Sequence, residues 1–438
     1  MLDIQFIRSN KETLAKVAKD KGLAFDVEAL LAKDQERIAL LQEIEELKSL
    51  KNDINDLIQQ AKTDEERAEI IAKGKEIKVK LDEKEPLFVA VKGEYDVLMA
   101  TVPNIVSPDT PIGKDESENV VMRQVGEKPK FEFQPKEHFQ IGEALGIIDT
   151  ERAAKVSGSR FAYLKGDLVL LEFALMQLAF SVLTNRETLD SIIKKNNLSI
   201  SATPFIPVIP PVFIKPEPFE KMARIEPKEE RYYMPEDNLY LIGSAEHTLG
   251  AMHMDEVFQE SELPVRYIGF STAFRREAGS YGKDMKGILR VHQFDKSEME
   301  SFTVPEQSLE EQNFFVAIQE HLVQALGIPY QVVQICTGDM GAPDARQIDI
   351  ECWLPGQNRY RETHTSDLMT DYQARRLNTR VKRGNGETQF VHMNDATVFA
   401  GRTMIAILEN YQRADGSVVV PEVLRPFVGK DLIEPRVR

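Results

Sequence analysis

Phe274-Arg-Arg-Glu-Ala-Gly279, continued by Gly282-Lys-Asp-Met-Lys-Gly-Ile-Leu-Arg-Val-His-Gln-Phe294 and closed by Glu298, is the stretch on which the fold turns. It reads as two short strands joined by a Gly-rich, cationic loop. Strand periodicity places Arg290, His292, Phe294, Lys296 and Glu298 on one face, with Leu289, Val291 and Gln293 on the other. One face thereby carries a guanidinium, an aromatic plate and a carboxylate in a row. Such a row suits a nucleotide: a purine stacks on Phe294, a phosphate takes two bonds from Arg275 or Arg290, and an amino group pairs with Glu298. A solvated hairpin with ordinary surface charges would alternate in the same way, so this stretch alone leaves both readings open.

Other segments follow in a fixed order. Asp349-Ile-Glu-Cys-Trp-Leu-Pro-Gly-Gln-Asn-Arg-Tyr-Arg-Glu362 and Asp371-Tyr-Gln-Ala-Arg-Arg376 precede Asn394-Asp-Ala-Thr-Val-Phe-Ala-Gly-Arg402, Ala406-Ile-Leu-Glu-Asn-Tyr-Gln412 and Gly416-Ser-Val-Val-Val-Pro-Glu-Val-Leu-Arg-Pro426. Together they resemble class II aminoacyl-tRNA synthetases, and in detail the seryl-tRNA synthetase family. The opening stretch is similar to that family's motif 2, and residues 394–426 to its motif 3 and C-terminal end. Several ordered motifs over nearly the whole chain are far more specific than one pattern match.

The resemblance implies an α+β fold, a class II antiparallel sheet flanked by helices, with an N-terminal antiparallel coiled-coil arm. It implies a tRNA-binding domain over 1–110, a catalytic domain over 111–438, and a homodimer built on motif 1, here the helix 168–183 leading to Phe205-Ile-Pro-Val-Ile-Pro-Pro-Val-Phe213. The Asn185–Ala202 segment between them is longer than expected, either a helix extension or a surface excursion. The activity implied is ATP- and Mg²⁺-dependent activation of serine, then transfer to the 3′ end of tRNA(Ser), with tRNA(Sec) as a further candidate acceptor.

Length and composition agree with this. A chain of 438 residues accommodates a large domain and a smaller module. Its two cysteines, Cys336 and Cys352, lack metal-ligand spacing and are too few for a disulfide framework, which points to the reducing cytosol. No apolar run reaches the ~20 residues of a membrane span, so no membrane is expected. A net charge of −16 repels phosphates at long range, and any RNA contact must be local.

Residues 27–100 read as two long helices folded back on each other. In the second, Ile70, Gly74, Ile77, Leu81, Lys84, Phe88, Val91, Tyr95 and Leu98 recur at alternating spacings of four and three, a heptad seam. The first offers Leu47, Leu50, Ile54, Leu57 and Ala61, and Thr63-Asp-Glu-Glu66 caps the return helix. Pro86, inside the second pattern, should kink or split it. Lys73, Lys75, Lys78, Lys80 and Lys84 collect positive charge on this arm, and the family's arm reads the long variable arm of tRNA, which makes them candidate contacts. A solvated, salt-bridged face is the other reading of the same lysines. The linker Val102-Pro-Asn-Ile-Val-Ser-Pro-Asp-Thr-Pro-Ile-Gly113 places a boundary near 110.

Carried onto this chain, the family's site gives Arg275 and Arg402 as catalytic residues, one between the amino-acid carboxylate and the α-phosphate, the other on the γ-phosphate. Glu277, Arg290, Val291 and Phe294 join them around ATP, with Glu277 at the adenine amino group. Glu362 and Thr365 match the family's metal ligands. Three residues apart, they would face opposite sides of a regular strand, so a bulge or break is required. For serine the set is Ser244, Glu246, Arg275, Glu298 and Thr397. Here the chain departs from the family: the position after Asp395, usually Ser or Thr, is Ala396. The run after Glu246 lacks the usual Pro, and a Gly-Thr-Gly-Gln-Leu-Pro-Lys loop is missing before Tyr232. A ligase of the same fold that loads a non-tRNA carrier, and a non-catalytic RNA-binding paralogue, are the alternatives.

Overall fold

The computed structural model describes residues 2–278 and 286–434. They form two compact units, 2–103 and 104–434. The Gly-rich part of the opening stretch, 279–285, lies outside the described residues.

In the first unit, α1 (Ile4–Ser9) and α2 (Lys11–Asp20) precede α3 (Val27–Gln60) and α4 (Asp64–Ala100). The Thr63 hydroxyl accepts from the Glu66 amide at 3.2 Å, which caps α4 as its sequence predicts. Every seam position named for α4 is buried or half-buried, while most of its other residues face solvent. At Gly74 the helices approach so closely that a β-carbon would sit 3.2 Å from Ile54. Cross-helix ion pairs brace the hairpin, Lys48 to Glu85 at 2.9 Å and Lys33 to Glu94 at 2.7 Å.

Two expectations are corrected. Leu50 and Leu57 are 50% and 49% exposed; α3 turns Ile44 and Ile58 inward with the expected Leu47 and Ile54, and the expected Ala61, just past the helix end, is half-buried. The two registers differ by one residue at alternate positions, and the polar Lys51 disguises the true one. Nor is α4 split at Pro86, which sits inside a continuous 37-residue helix. Pro86 removes one backbone hydrogen bond, and burial of Leu81 and Val91 on either side, worth ~1.5–3 kcal/mol per large side chain, outweighs it.

The second unit is built on an eight-stranded sheet. In chain order its strands are β1 (Val120–Val125), β2 (Ile206–Val208), β3 (Val265–Phe274), β4 (Gln293–Thr303), β5 (Tyr330–Gln334), β6 (Arg346–Leu354), β7 (Arg359–Thr370) and β8 (His392–Ala400). Their spatial order is β1-β5-β6-β7-β8-β4-β3-β2, antiparallel throughout except for β2 beside β3. This is the antiparallel sheet flanked by helices that the sequence predicts. The linker joins this unit: the Asn104 amide donates to Ala342 O at 3.0 Å and that of Ser107 to Ala345 O at 2.7 Å. The division therefore falls at Pro103/Asn104, ahead of the expected 110.

Helices α5 (Asp167–Leu183), α6 (Arg186–Lys195), α7 (Ser308–Ala325) and α8 (Gly401–Asn410) supply the main core with the sheet's apolar face. The 185–202 segment neither prolongs α5 nor loops out. Asn185 caps α6, which bends 78° from α5 and buries Leu189, Ile192 and Ile193. Among the described residues, no single helix is long and apolar enough to cross a membrane.

On the sheet's reverse face, α7 does more than pack. The Gln319 side-chain amide donates to Thr365 O at 2.9 Å and to Thr397 O at 2.7 Å, and Gln312 likewise bridges Arg346 O and Ser366 O. These are carbonyls of the central strands that carry the site.

Candidate active site

A cavity of about 230 Å³ opens on the other face of the sheet, walled by β4, β7, β8 and the start of α8. Alternation along β4 holds from its first residue: Phe294, Lys296 and Glu298 line the cavity, as expected. Before Gln293 it fails, because 286–292 form turns and bends, not a strand. Leu289 and Val291 therefore line the cavity together with Arg290, whereas His292 packs against Phe161 and takes a hydrogen bond with Arg275 O at 3.0 Å.

The cavity's cationic end gathers Arg275, Arg290 and Arg402. Arg275 Nε donates to Gly243 O at 3.1 Å, and its guanidinium lies 5.4 Å from the Phe294 ring centre. Arg290 pairs with Glu277 at 2.7 Å, and Glu277 adopts a left-handed φ of 52° that turns its carboxylate inward. Arg402 donates to Glu362 O at 2.9 Å and lies 3.0 Å from the Glu362 carboxylate. The Arg402 charge, against burial, holds Glu362 below the ordinary carboxylate range.

The bulge that the Glu362–Thr365 spacing requires is present. Ile350 pairs with His364 and Glu351 with Glu362, leaving Thr363 as the extra residue on β7. Glu362 and Thr365 thus share one face, with the Thr365 hydroxyl 3.4 Å from Glu362 Oε1.

The opposite end is acidic and buried. Ser244 donates to Glu298 at 3.4 Å, and Lys296 Nζ lies 2.6 Å from Glu298 and 3.1 Å from Ser244 Oγ. Burial pushes the Glu298 carboxyl up to about 7. Burial acts on Glu246 in the same sense, yet Arg224 at 3.1 Å and His247 outweigh it and hold Glu246 well below the usual range. His247, lowered to about 4 by burial, is neutral at pH 7. Its Nδ1 accepts from the Gly243 amide at 3.1 Å, so the ring proton sits on Nε2, which faces Glu246 at 3.4 Å.

The departure at Ala396 is resolved by register. On β8, Asp395 and Thr397 line the cavity; Ala396 is fully buried in the core on the helix side, where the neighbouring Asn394 reaches Ser308 O. Glu298 pairs with Thr397 and Ser297 with Phe399, so Val398 is an extra residue. The hydroxyl that faces the acidic end is Thr397.

Four residues of this end escaped the sequence reading or its site set: Arg224, Lys296, Asp367 and Asp395. Arg224 Nη2 lies 3.1, 3.3 and 3.5 Å from Asp367, Asp344 and Asp395. Period two from Thr365 and Thr397 would have found the two aspartates, and the β4 alternation already carried Lys296. Arg224 sits between elements, where no periodicity exists to place it.

In the arm, Lys73, Lys75, Lys78 and Lys80 are exposed. Lys84 belongs to the seam and pairs with Glu43 on α3 at 2.6 Å, which fits a brace better than a free contact.

An eight-stranded, mainly antiparallel sheet whose open face carries arginines at one end of a cavity and buried acids at the other defines a class II aminoacyl-tRNA synthetase core. Residues 230–411 match the model of the tRNA synthetase class II core domain (G, H, P, S and T), and residues 1–106 that of the seryl-tRNA synthetase N-terminal domain. The chain is 40% identical to a serine–tRNA ligase of Thermodesulfovibrio yellowstonii, over 99% of this chain and 100% of that one. A seryl-tRNA synthetase from Pyrococcus horikoshii complexed with ATP superimposes with a TM-score of 0.88 at 37% identity, covering 100% of both chains. A cytoplasmic serine–tRNA ligase from Naegleria fowleri in complex with AMP gives 0.82 at 30%, covering 100% of this chain and 99% of that one. The chain belongs to the seryl-tRNA synthetase family.

Proposed function

We propose that the chain activates serine with ATP and passes the seryl group to the 3′ end of tRNA(Ser), with tRNA(Sec) a second candidate acceptor. One observation carries this: a single cavity opposes Arg275 and Arg402 to a buried pocket of Glu298, Glu246, Ser244 and Thr397.

The reaction joins two anions, the serine carboxylate and the α-phosphate, and releases pyrophosphate. Arg275 neutralises both, and Arg402 holds the far end of the triphosphate. Phe294 supplies a face for adenine, while Glu277, Arg290 and Val291 border it. The serine ammonium pairs with Glu298 and Glu246, and its hydroxyl with Thr397. Glu362 and Thr365 offer hard oxygens on one face of the bulge and fit Mg²⁺, which supplies positive charge against the phosphates when bound.

The exposed Lys73, Lys75, Lys78 and Lys80 suit phosphate contacts from a tRNA, and Lys84 takes a bracing part. A homodimer is supported by the apolar residues that α5 and the following segment leave exposed, Leu170, Phe173 and Ile209. A cytoplasmic location fits the two buried, unpaired cysteines.

Pyrophosphate exchange across all amino acids, followed by charging of unfractionated tRNA, tests the reading. Serine should drive both. Exchange without charging would favour a carrier-loading ligase, and absence of both a non-catalytic paralogue.

A further inference from the structure

The cavity wall beside Phe294 is made by a segment with no strand ladder of its own. Residues 286–292 run as turns and bends, yet Leu289, Arg290 and Val291 all line the cavity, and Ile288, Leu289 and Val291 are buried. Contacts from outside the segment must hold its backbone, because a buried amide without an acceptor is costly. At the far end the His292 amide donates to Arg160 O at 3.0 Å. At the near end the acceptor is a side chain: the Ile288 amide donates to Nε2 of His138 at 3.1 Å.

His138 opens the short helix His138–Leu145, is almost fully buried, and does not line the cavity. Its Nε2 accepts, so the ring proton sits on Nδ1, which faces Glu409 Oε1 at 3.4 Å. Glu409 also accepts from the His138 backbone amide at 3.0 Å and, through Oε2, from the Gly356 amide at 2.9 Å. It stands about two turns along α8 from Arg402, and Gly356 lies in the turn that leads into β7, the strand that carries Glu362. One buried pair thus ties the wall 288–291 to α8 and to the β6–β7 turn.

A second, independent observation is the fit around the ring. Gly287 has a left-handed φ of 74°, and a β-carbon there would collide with His138 Nε2, so the chain closes onto the imidazole where no side chain can stand. One residue earlier, Lys286 Nζ lies 5.2 Å from the ring centre of Phe139, the next residue of the same helix.

We propose that His138 is a positioning residue for ATP. It touches no substrate; by accepting from the Ile288 amide while Glu409 fixes its proton, it sets the wall that borders adenine against the helix that carries Arg402. The proposal rests on the ATP-dependent activation proposed above. The serine set Glu246, Glu298 and Thr397 is held through other groups, Arg224, Lys296 and Gln319.

The test compares the full-length parent with His138→Phe, His138→Gln and Gly287→Ala, by pyrophosphate exchange per active site and by calorimetric titration of ATP alone, with thermal melts to check folding. His138→Phe keeps an aromatic ring and loses the acceptor; it should raise the KM for ATP about tenfold and leave the serine KM within about twofold of the parent. His138→Gln keeps an acceptor near the place of Nε2 and should hold the ATP KM within about threefold of the parent. Gly287→Ala, which pushes the Ile288 amide off the ring, should match His138→Phe, and it decides the matter if that variant does not fold. An ATP KM unmoved by His138→Phe and Gly287→Ala, ATP and serine KM values that rise together, or His138→Gln no better than His138→Phe overturns the proposal. Should no amino acid support exchange in the parent, the activation reading falls, and calorimetry decides this one: ATP bound equally well by the parent and Gly287→Ala, or bound by neither, overturns it.

Discussion

Replacing Thr397 by Val and Ala396 by Ser in separate variants tests which face of β8 reads the substrate. Thr397→Val keeps the shape and removes the one hydroxyl this strand turns toward Glu298, its direct cross-strand partner. A substrate hydroxyl left without that partner in a buried site costs ~1–3 kcal/mol, which is roughly 5- to 150-fold in kcat/KM for serine. Alanine, with no hydroxyl to satisfy, should lose much less. Ala396→Ser restores the residue usual in the family, but here that side chain is fully buried on the helix side. Its hydroxyl would enter the core beneath α7, lowering stability by ~1–3 kcal/mol with little effect on exchange per folded molecule. Exchange kinetics with serine and alanine, together with denaturant melts, separate the two effects. Should Ala396→Ser change the serine KM while Thr397→Val leaves it alone, the assigned register of β8 is wrong.

Arg275→Ala should cost roughly 3 kcal/mol of transition-state stabilisation, a ~100-fold or larger loss in exchange rate, and Arg402→Ala should act similarly with a larger rise in the KM for ATP; exchange within a few-fold of the parent removes either residue from the mechanism. Excising the arm and joining residues 30 and 97 by a short linker should leave serine-dependent exchange near the parent rate and abolish charging of tRNA, so efficient charging by that variant would refute the arm's part in tRNA recognition. Burial raises Glu298 to about 7, so its carboxylate is protonated below that pH and freed as pH rises through it; serine affinity should weaken up to ~10-fold per unit below pH 7, and a KM flat from pH 5.5 to 8 would contradict the ammonium contact.

Much of this was legible because the relevant elements are periodic. The α4 seam from Ile70 to Leu98 and the β4 run Phe294, Lys296, Glu298 could be counted off directly, since helix and strand repeat without interruption there. The misreadings sit where a repeat breaks or slips. Leu50 and Leu57 are leucines one residue out of register, and hydrophobicity alone favours them over Lys51. Leu289 and Val291 follow a strand period in a segment that is not a strand. At Ala396 the family pattern points to the wrong side chain, because the face a strand residue presents depends on pairing with β4 and on the extra residue Val398. Arg224 was invisible for a different reason: only the fold brings a loop arginine to aspartates more than a hundred residues away.

The Gln319 amide described beneath the sheet joins the Thr365 carbonyl, on the strand that carries the metal-ligand pair, to the Thr397 carbonyl, on the strand that faces the amino acid. The bridge fixes the separation of those strands before either substrate arrives. The distance over which carboxylate must meet phosphate is therefore set by a side chain that touches neither, and the alignment is paid for at folding instead of at each turnover.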